Sequence, residues 1–184
     1  MEVVSGSEKN CYFLFTDVSL HPQRRLGVGG YLLVPASFLE CTSESVARSE
    51  IAGRLLTKRF MGTSATELEI KTILWALHDY QIKVNSSGTC KLQIYSDSQC
   101  VSGLLRRRSR LESTDYLSKK SKQLLKNSFL YRQFYKYFDA IDFSVHKVTG
   151  HSPSSSHDTI HRVFSCVDSH VRKELKLWVN AAQA

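Results

Sequence analysis

The sequence predicts an α/β fold, a mixed five-stranded sheet flanked by helices. Three observations carry that expectation. Short apolar and aromatic runs recur between turn signals, as strands do. Helical spacing of apolar residues interrupts them at two places. The element order, three strands, a helix, a strand, helices, a strand and a last helix, then suits a sheet covered on its faces.

In chain order, Cys11-Tyr-Phe-Leu-Phe-Thr-Asp17 is an apolar, aromatic run ending in an acid, and it reads as a central strand closed by Asp17. Arg24 to Gly30 holds three glycines and predicts a tight reversal into a second strand, Tyr31 to Val34. Pro35 to Gly53 is polar and predicts a loop, and Arg54 to Phe60 a third strand. Ile70, Ile73, Leu74 and Leu77 then stand at i, i+3, i+4 and i+7, an amphipathic helix capped by Ser64 or Thr66. The turn signal Asn85-Ser-Ser-Gly88 precedes a fourth strand, Lys91 to Ser96, closed by Asp97. A short helix through Leu105 follows, and the basic, aromatic stretch from Thr114 to Phe138 predicts one or two more. Ile141 to Val148 alternates as a fifth strand. Finally, Ile160, Val163, Phe164, Val167, Val171, Leu175 and Trp178 hold one stripe for about five turns.

Composition sets limits on function. At 184 residues and 42% hydrophobic, the chain has enough apolar material for an ordinary core without covalent staples. Its five cysteines are odd in number, scattered, and form no C-x-x-C pair, so neither a disulfide framework nor a zinc site is expected. No secretory signal and no membrane-spanning run are visible, and the expectation is a soluble, cytoplasmic, reduced monomer without membrane contact. The net charge is +8, and residues 101–140 contain ten Lys/Arg against three Asp/Glu. A block of that sign attracts a polyanion through counterion release.

Carboxylates at the ends of buried strands are costly unless paired or metal-bound. Asp17 and Asp97, on two strands that can be neighbours, form a candidate site for a hard cation with oxygen ligands. A third acid is expected from the first long helix. Glu67 and Glu69 are two positions apart, so they point roughly 200° from each other. Glu69 shares a face with Ile73, Ala76 and Tyr80, beside the buried stripe, whereas Glu67 suits the helix dipole in the first turn. The last helix offers Asp168, at the margin of its apolar stripe, in preference to Asp158 near its start.

Phe15-Thr-Asp17-Val-Ser19, Thr66-Glu-Leu-Glu69 leading to Trp75-Ala-Leu77, Tyr95-Ser-Asp97-Ser-Gln-Cys-Val101 and Val148-Thr-Gly-His151 resemble the ribonuclease H type 1 family in order and spacing. The resemblance runs from about Tyr12 to Leu175, and its most specific pieces are Asp97-Ser-Gln99 and Gly150-His151. It implies one ribonuclease H-like domain over residues 1–184, with a core from about 11 to 178. It further implies an endonuclease that hydrolyses the RNA strand of RNA–DNA hybrids with two Mg²⁺ ions, Mn²⁺ being the substitute. On this resemblance Asp17, Glu69, Asp97 and Asp168 look like the family's metal-binding carboxylates, and His151 like its mobile histidine. Ser19 and Gln99 are placed to meet the hybrid, and Arg106, Arg107, Lys119 and Lys120 to hold phosphates of the DNA strand.

The sequence departs from the pattern in three ways. Val18 stands where the family usually has glycine. Seventeen residues separate His151 from Asp168, longer than in common relatives and similar to a bacterial branch. The basic stretch resembles the family's substrate-binding handle in position and charge alone. Among rivals, related-fold exonucleases look for an acid where Ser19 stands, and resolvases for paired late acids where Ser165 and Ser169 flank Asp168. A catalytically silent hybrid-binding module is the rival from another class, since fold alone never guarantees activity.

Overall fold

A computed structural model of the chain describes residues 11–40, 47–84, 90–149 and 159–182. Five strands, β1 (Cys11–His21), β2 (Leu26–Pro35), β3 (Leu56–Met61), β4 (Lys91–Ser96) and β5 (Phe143–Lys147), form one sheet in the order β3-β2-β1-β4-β5. The first three pair antiparallel, and β4 and β5 run parallel to β1, so the sheet is mixed as expected. Seven helices are described: α1 (Ala36–Glu40), α2 (Ala47–Arg54), α3 (Ala65–Lys83), α4 (Gln99–Ser102), α5 (Leu104–Ser113), α6 (Ser128–Ala140) and α7 (Thr159–Ala181). Among the described residues no helix is long and apolar enough to cross a membrane.

Successive side chains of a strand point to opposite faces, and β1 divides its apolar residues accordingly. Leu14 joins the larger core, with Ile73 and Leu77 of α3 and Phe134 of α6. Phe15 joins the other, with Val163, Phe164 and Val167 of α7. The stripe expected on the last helix is the buried one, since Val163, Phe164, Val167, Val171 and Leu175 all lie inside. On the opposite face α3 is pinned to β2 where the Tyr31 hydroxyl donates to Asp79 and its ring packs edge-on against Trp75.

Both helices lie very close to β2, and glycines permit this. A Cβ at Gly29 would fall 2.0 Å from the Thr72 hydroxyl of α3, and one at Gly30 would fall 2.4 Å from a Val171 methyl of α7. These glycines belong to the strand, which corrects the expected reversal over Arg24 to Gly30. The reversal is Pro22 to Arg25, closed by the Arg25 N–H on the Pro22 carbonyl with Arg25 at φ 52°.

Other boundaries also move. β1 runs four residues past Asp17, because β2 keeps pairing with it as far as His21 opposite Leu26. Helices α1 and α2 occupy part of the stretch expected to be loop. Ser64 stands at the N-cap of α3, offering its backbone carbonyl to the Leu68 N–H at 2.8 Å, while its side chain makes no cap bond. The basic stretch is helical only from Ser128. Residues 114–127 instead form turns around the isolated bridge Leu117–Leu124, with Asp115, Tyr116 and Lys122 at positive φ, a conformation no helix holds. Among the described residues Cys11, Cys90, Cys100 and Cys166 are free thiols.

Candidate active site

The site lies where β4 ends beside the middle of its parallel neighbour β1. Phe15 pairs with Tyr95, and the same register carried two residues onward brings Asp17 level with Asp97. Asp17 is thus a mid-strand residue rather than a strand end, and only 7% exposed. Its neighbour across the antiparallel pair is Gly30, above which Val171 of α7 settles. Asp168 lies almost one helical turn before Val171, so the same close approach delivers its carboxylate to Asp17. Glu69 reaches the site from α3, on the other face of the sheet.

Thr16, Asp17, Val18, Glu69, Ser96, Asp97 and Ser98 line an open recess here. Ser98 organises one wall. Its hydroxyl accepts from the Val101 N–H at 3.1 Å, capping α4, and donates to Glu69 Oε2 at 2.7 Å. The cap sets where α4 starts, and the second bond sets which way Glu69 faces.

Electrostatics mark the cluster as short of positive charge. Burial pushes the Asp17 carboxyl up to about 8, the charges of Asp97 and then Asp168 push in the same direction, and the Val18 N–H opposes them. Asp97 is raised by lost solvation first and by Asp168 second, although the residue is open to solvent at the strand end; Arg172 and Lys147 oppose the shift. Glu69 is raised by its half-buried position, with the Ser98 bond opposing and Asp97 adding. Strongly perturbed acids in a recess are typical of working sites.

Asp17 Oδ2 is buried without any hydrogen-bond partner, an arrangement that costs free energy in a finished core. An orphaned carboxylate oxygen facing further carboxylates is what a hard divalent cation satisfies, and an all-oxygen donor set fits such an ion. Among the described residues no three acids are already drawn into one ligating cage. They interact pairwise, Asp17 with Asp97 and Asp168, and Glu69 with Asp97. We therefore assign donors and no ion positions.

The remaining candidates separate. Ser19 lies two residues beyond Asp17 on β1, and Gln99 opens α4 with an exposed side chain, both beside the recess. Arg106 is exposed on α5, and Lys119 and Lys120 are exposed in the turns that follow. Arg107 turns inward: it donates to the Cys100 carbonyl at 2.9 Å and the Gly103 carbonyl at 3.2 Å, and lies over the Tyr131 ring. His151 lies outside the described residues. Sequence reasoning gave no role to Ser98 or Arg172. The signals were a serine immediately before a helix and an arginine four positions after an acid on a helix.

A mixed sheet of this order, with acids on its two central parallel strands and a long helix bringing another, is the layout of a ribonuclease H-like hydrolase. The chain belongs to the RNase H family, whose profile matches residues 9–159. Asp168 falls beyond the matched span. Among solved structures, the RNase H domain of PFV is similar with a TM-score of 0.61 and 12% identity over 90% of this chain and 93% of that one. A foamy viral protease–reverse transcriptase in complex with dsDNA is similar with a TM-score of 0.53 and 13% identity, covering 84% and 90%. At such identities the likeness concerns the fold. No curated protein sequence matches the chain.

Proposed function

We propose that this chain is an endonuclease hydrolysing the RNA strand of RNA–DNA hybrids, with two Mg²⁺ ions as its cofactor. The observation that carries the reading is the buried, partnerless Asp17 Oδ2 in a cluster of acids, within a chain of this family.

Asp17 and Asp97 are the central holders of the ions, and Glu69 and Asp168 flank them. Bound divalent cations supply Lewis-acid stabilisation to the attacking and leaving oxygens of an in-line displacement. Ser98 keeps Glu69 turned inward through its 2.7 Å bond. Ser19 and Gln99 meet the hybrid near the scissile bond, where 2′-hydroxyl contacts separate RNA from DNA. Arg106, Lys119 and Lys120 contact phosphates of the DNA strand, fixing register without reading sequence. Arg107, tied to backbone carbonyls, stiffens the start of α5 and adds its charge to that surface. His151 moves a proton or assists product departure, a role open to an imidazole side chain.

The test uses an end-labelled RNA–DNA hybrid beside matched RNA and DNA duplexes, in Mg²⁺ or EDTA, with Asp97→Asn in parallel. Internal cuts in the RNA of the hybrid alone, lost in EDTA and in the variant, are expected. Binding without cutting in Mg²⁺ or Mn²⁺ would make the chain a silent binding module. Stepwise trimming from an end, or cutting of a DNA duplex, would keep the acids as a metal site and overturn the substrate.

A further inference from the structure

Among the described residues Arg172 pairs directly with Asp168, one of the four acids, and its charge also acts on Asp97. Its Nε lies 2.7 Å from Asp168 Oδ1, in an i,i+4 pair on α7. Val167 and Val171, both fully buried, hold this part of the helix against the sheet, so neither backbone retreats. The Asp168 charge reaches both Asp17 and Asp97. Ser98, the partner of Glu69, is neutral. Lys147, exposed at the end of β5, acts on Asp97 without a contact of its own.

We propose that Arg172 is a positioning residue that shares Asp168 with the cation: it serves as the counter-ion of the acid cluster when no metal is bound, and a divalent ion binds against its charge. The inference rests on reading the four acids as the cation holders. Two features support it. The Arg172 side chain is 59% exposed and Asp168 28%, so the guanidinium can swing into solvent while the carboxylate stays in place. A fixed positive charge within a few ångströms of an incoming dication repels it, and solvent screening reduces that repulsion without removing it.

Arg172 therefore stabilises the metal-free protein and weakens metal binding, a combination that a purely structural surface pair does not produce. Binding of Mn²⁺, followed through the free-ion EPR signal, is compared for the wild-type chain, Arg172→Gln and Arg172→Lys, with melting in EDTA alongside. Arg172→Gln is expected to bind Mn²⁺ about fivefold more tightly and to melt a few degrees lower in EDTA, about 2–4 °C. Arg172→Lys, which keeps the charge, is expected to stay close to wild type in both. Unchanged Mn²⁺ affinity in Arg172→Gln overturns the role, and so does weaker binding, which would make Arg172 an aid to the ion rather than its competitor. If the wild-type chain binds no Mn²⁺, the assignment of the acids itself falls and this role with it. Wild-type binding beside an unaltered Arg172→Gln overturns Arg172 alone.

Discussion

Replacing Asp17 by Asn should stabilise the metal-free protein near neutral pH and do nothing at pH 4. The carboxyl rises from an ordinary 3.8 to about 8 in the fold. A folded-state pKa raised above its unfolded value means that an acid costs stability once the unfolded chain ionises. The cost is absent below the unfolded pKa, grows as pH climbs from about 4, and levels off above about 8. Roughly four pKa units at 1.36 kcal/mol each amount to about 5 kcal/mol at the plateau. Asp97 stands in solvent, which screens part of its repulsion of Asp17, so we expect about 2–3 kcal/mol to be recovered by the isosteric amide at pH 7.5. The amide also gives Asp97 and Asp168 a donor. For a chain of this length, 1 kcal/mol shifts Tm by about 2–4 °C, so the variant should melt about 5–10 °C above wild type in EDTA. The assay is thermal denaturation followed by circular dichroism, in EDTA, at pH 4 and 7.5, with Mg²⁺ added in a second series. Addition of Mg²⁺ should raise the wild-type Tm and leave Asp17→Asn nearly unmoved. Equal Tm values at pH 7.5, or an equal gain at both pH values, would refute the argument that the fold opposes ionisation of the carboxyl at position 17.

Other parts of the structure make separate predictions. Ser98→Ala removes both the α4 cap and the Glu69 bond; it should cost about 1–2 kcal/mol in urea denaturation and raise the Mg²⁺ concentration needed for half-maximal cleavage. Gly29→Ala places a methyl 2.0 Å from the Thr72 hydroxyl and should destabilise by at least about 2 kcal/mol. Thr72→Ala in the same chain should return most of that loss, and failure to do so would place the strain elsewhere. Lys119→Ala with Lys120→Ala should weaken hybrid binding with little dependence on sequence and lower the salt slope of log K by about two. An unchanged slope, measured by fluorescence anisotropy across a salt series, would remove these lysines from the interface.

Much of this molecule could be read before any coordinates. Periodicity alone located the inner face of α7, because an amphipathic helix must write its buried stripe into the sequence at 3.6-residue spacing. The five strands, the mixed sheet and the choice of Glu69 over Glu67 followed from equally local rules, as did the expectation that Asp17 and Asp97 meet. What local rules could not supply was distance between elements. The three glycines of β2 looked like a turn, since glycine in sequence marks a turn and a close approach alike; only packing shows that Thr72 and Val171 fill the space above two of them. The same close packing on Gly30 brings Asp168 to Asp17. In the basic stretch, charge and aromatic content promised helix throughout, but three residues at positive φ break it before Ser128. Ser98 and Arg172 acquire their roles from one bond each, to Glu69 and Asp168. The shifted ionisation of Asp17 arises from burial and from neighbours 80 and 151 positions away in the chain. Identity of the acids is a property of the sequence, whereas their shared deficit of positive charge exists only once the fold has gathered them, because solvation and Coulomb energy depend on separation in space.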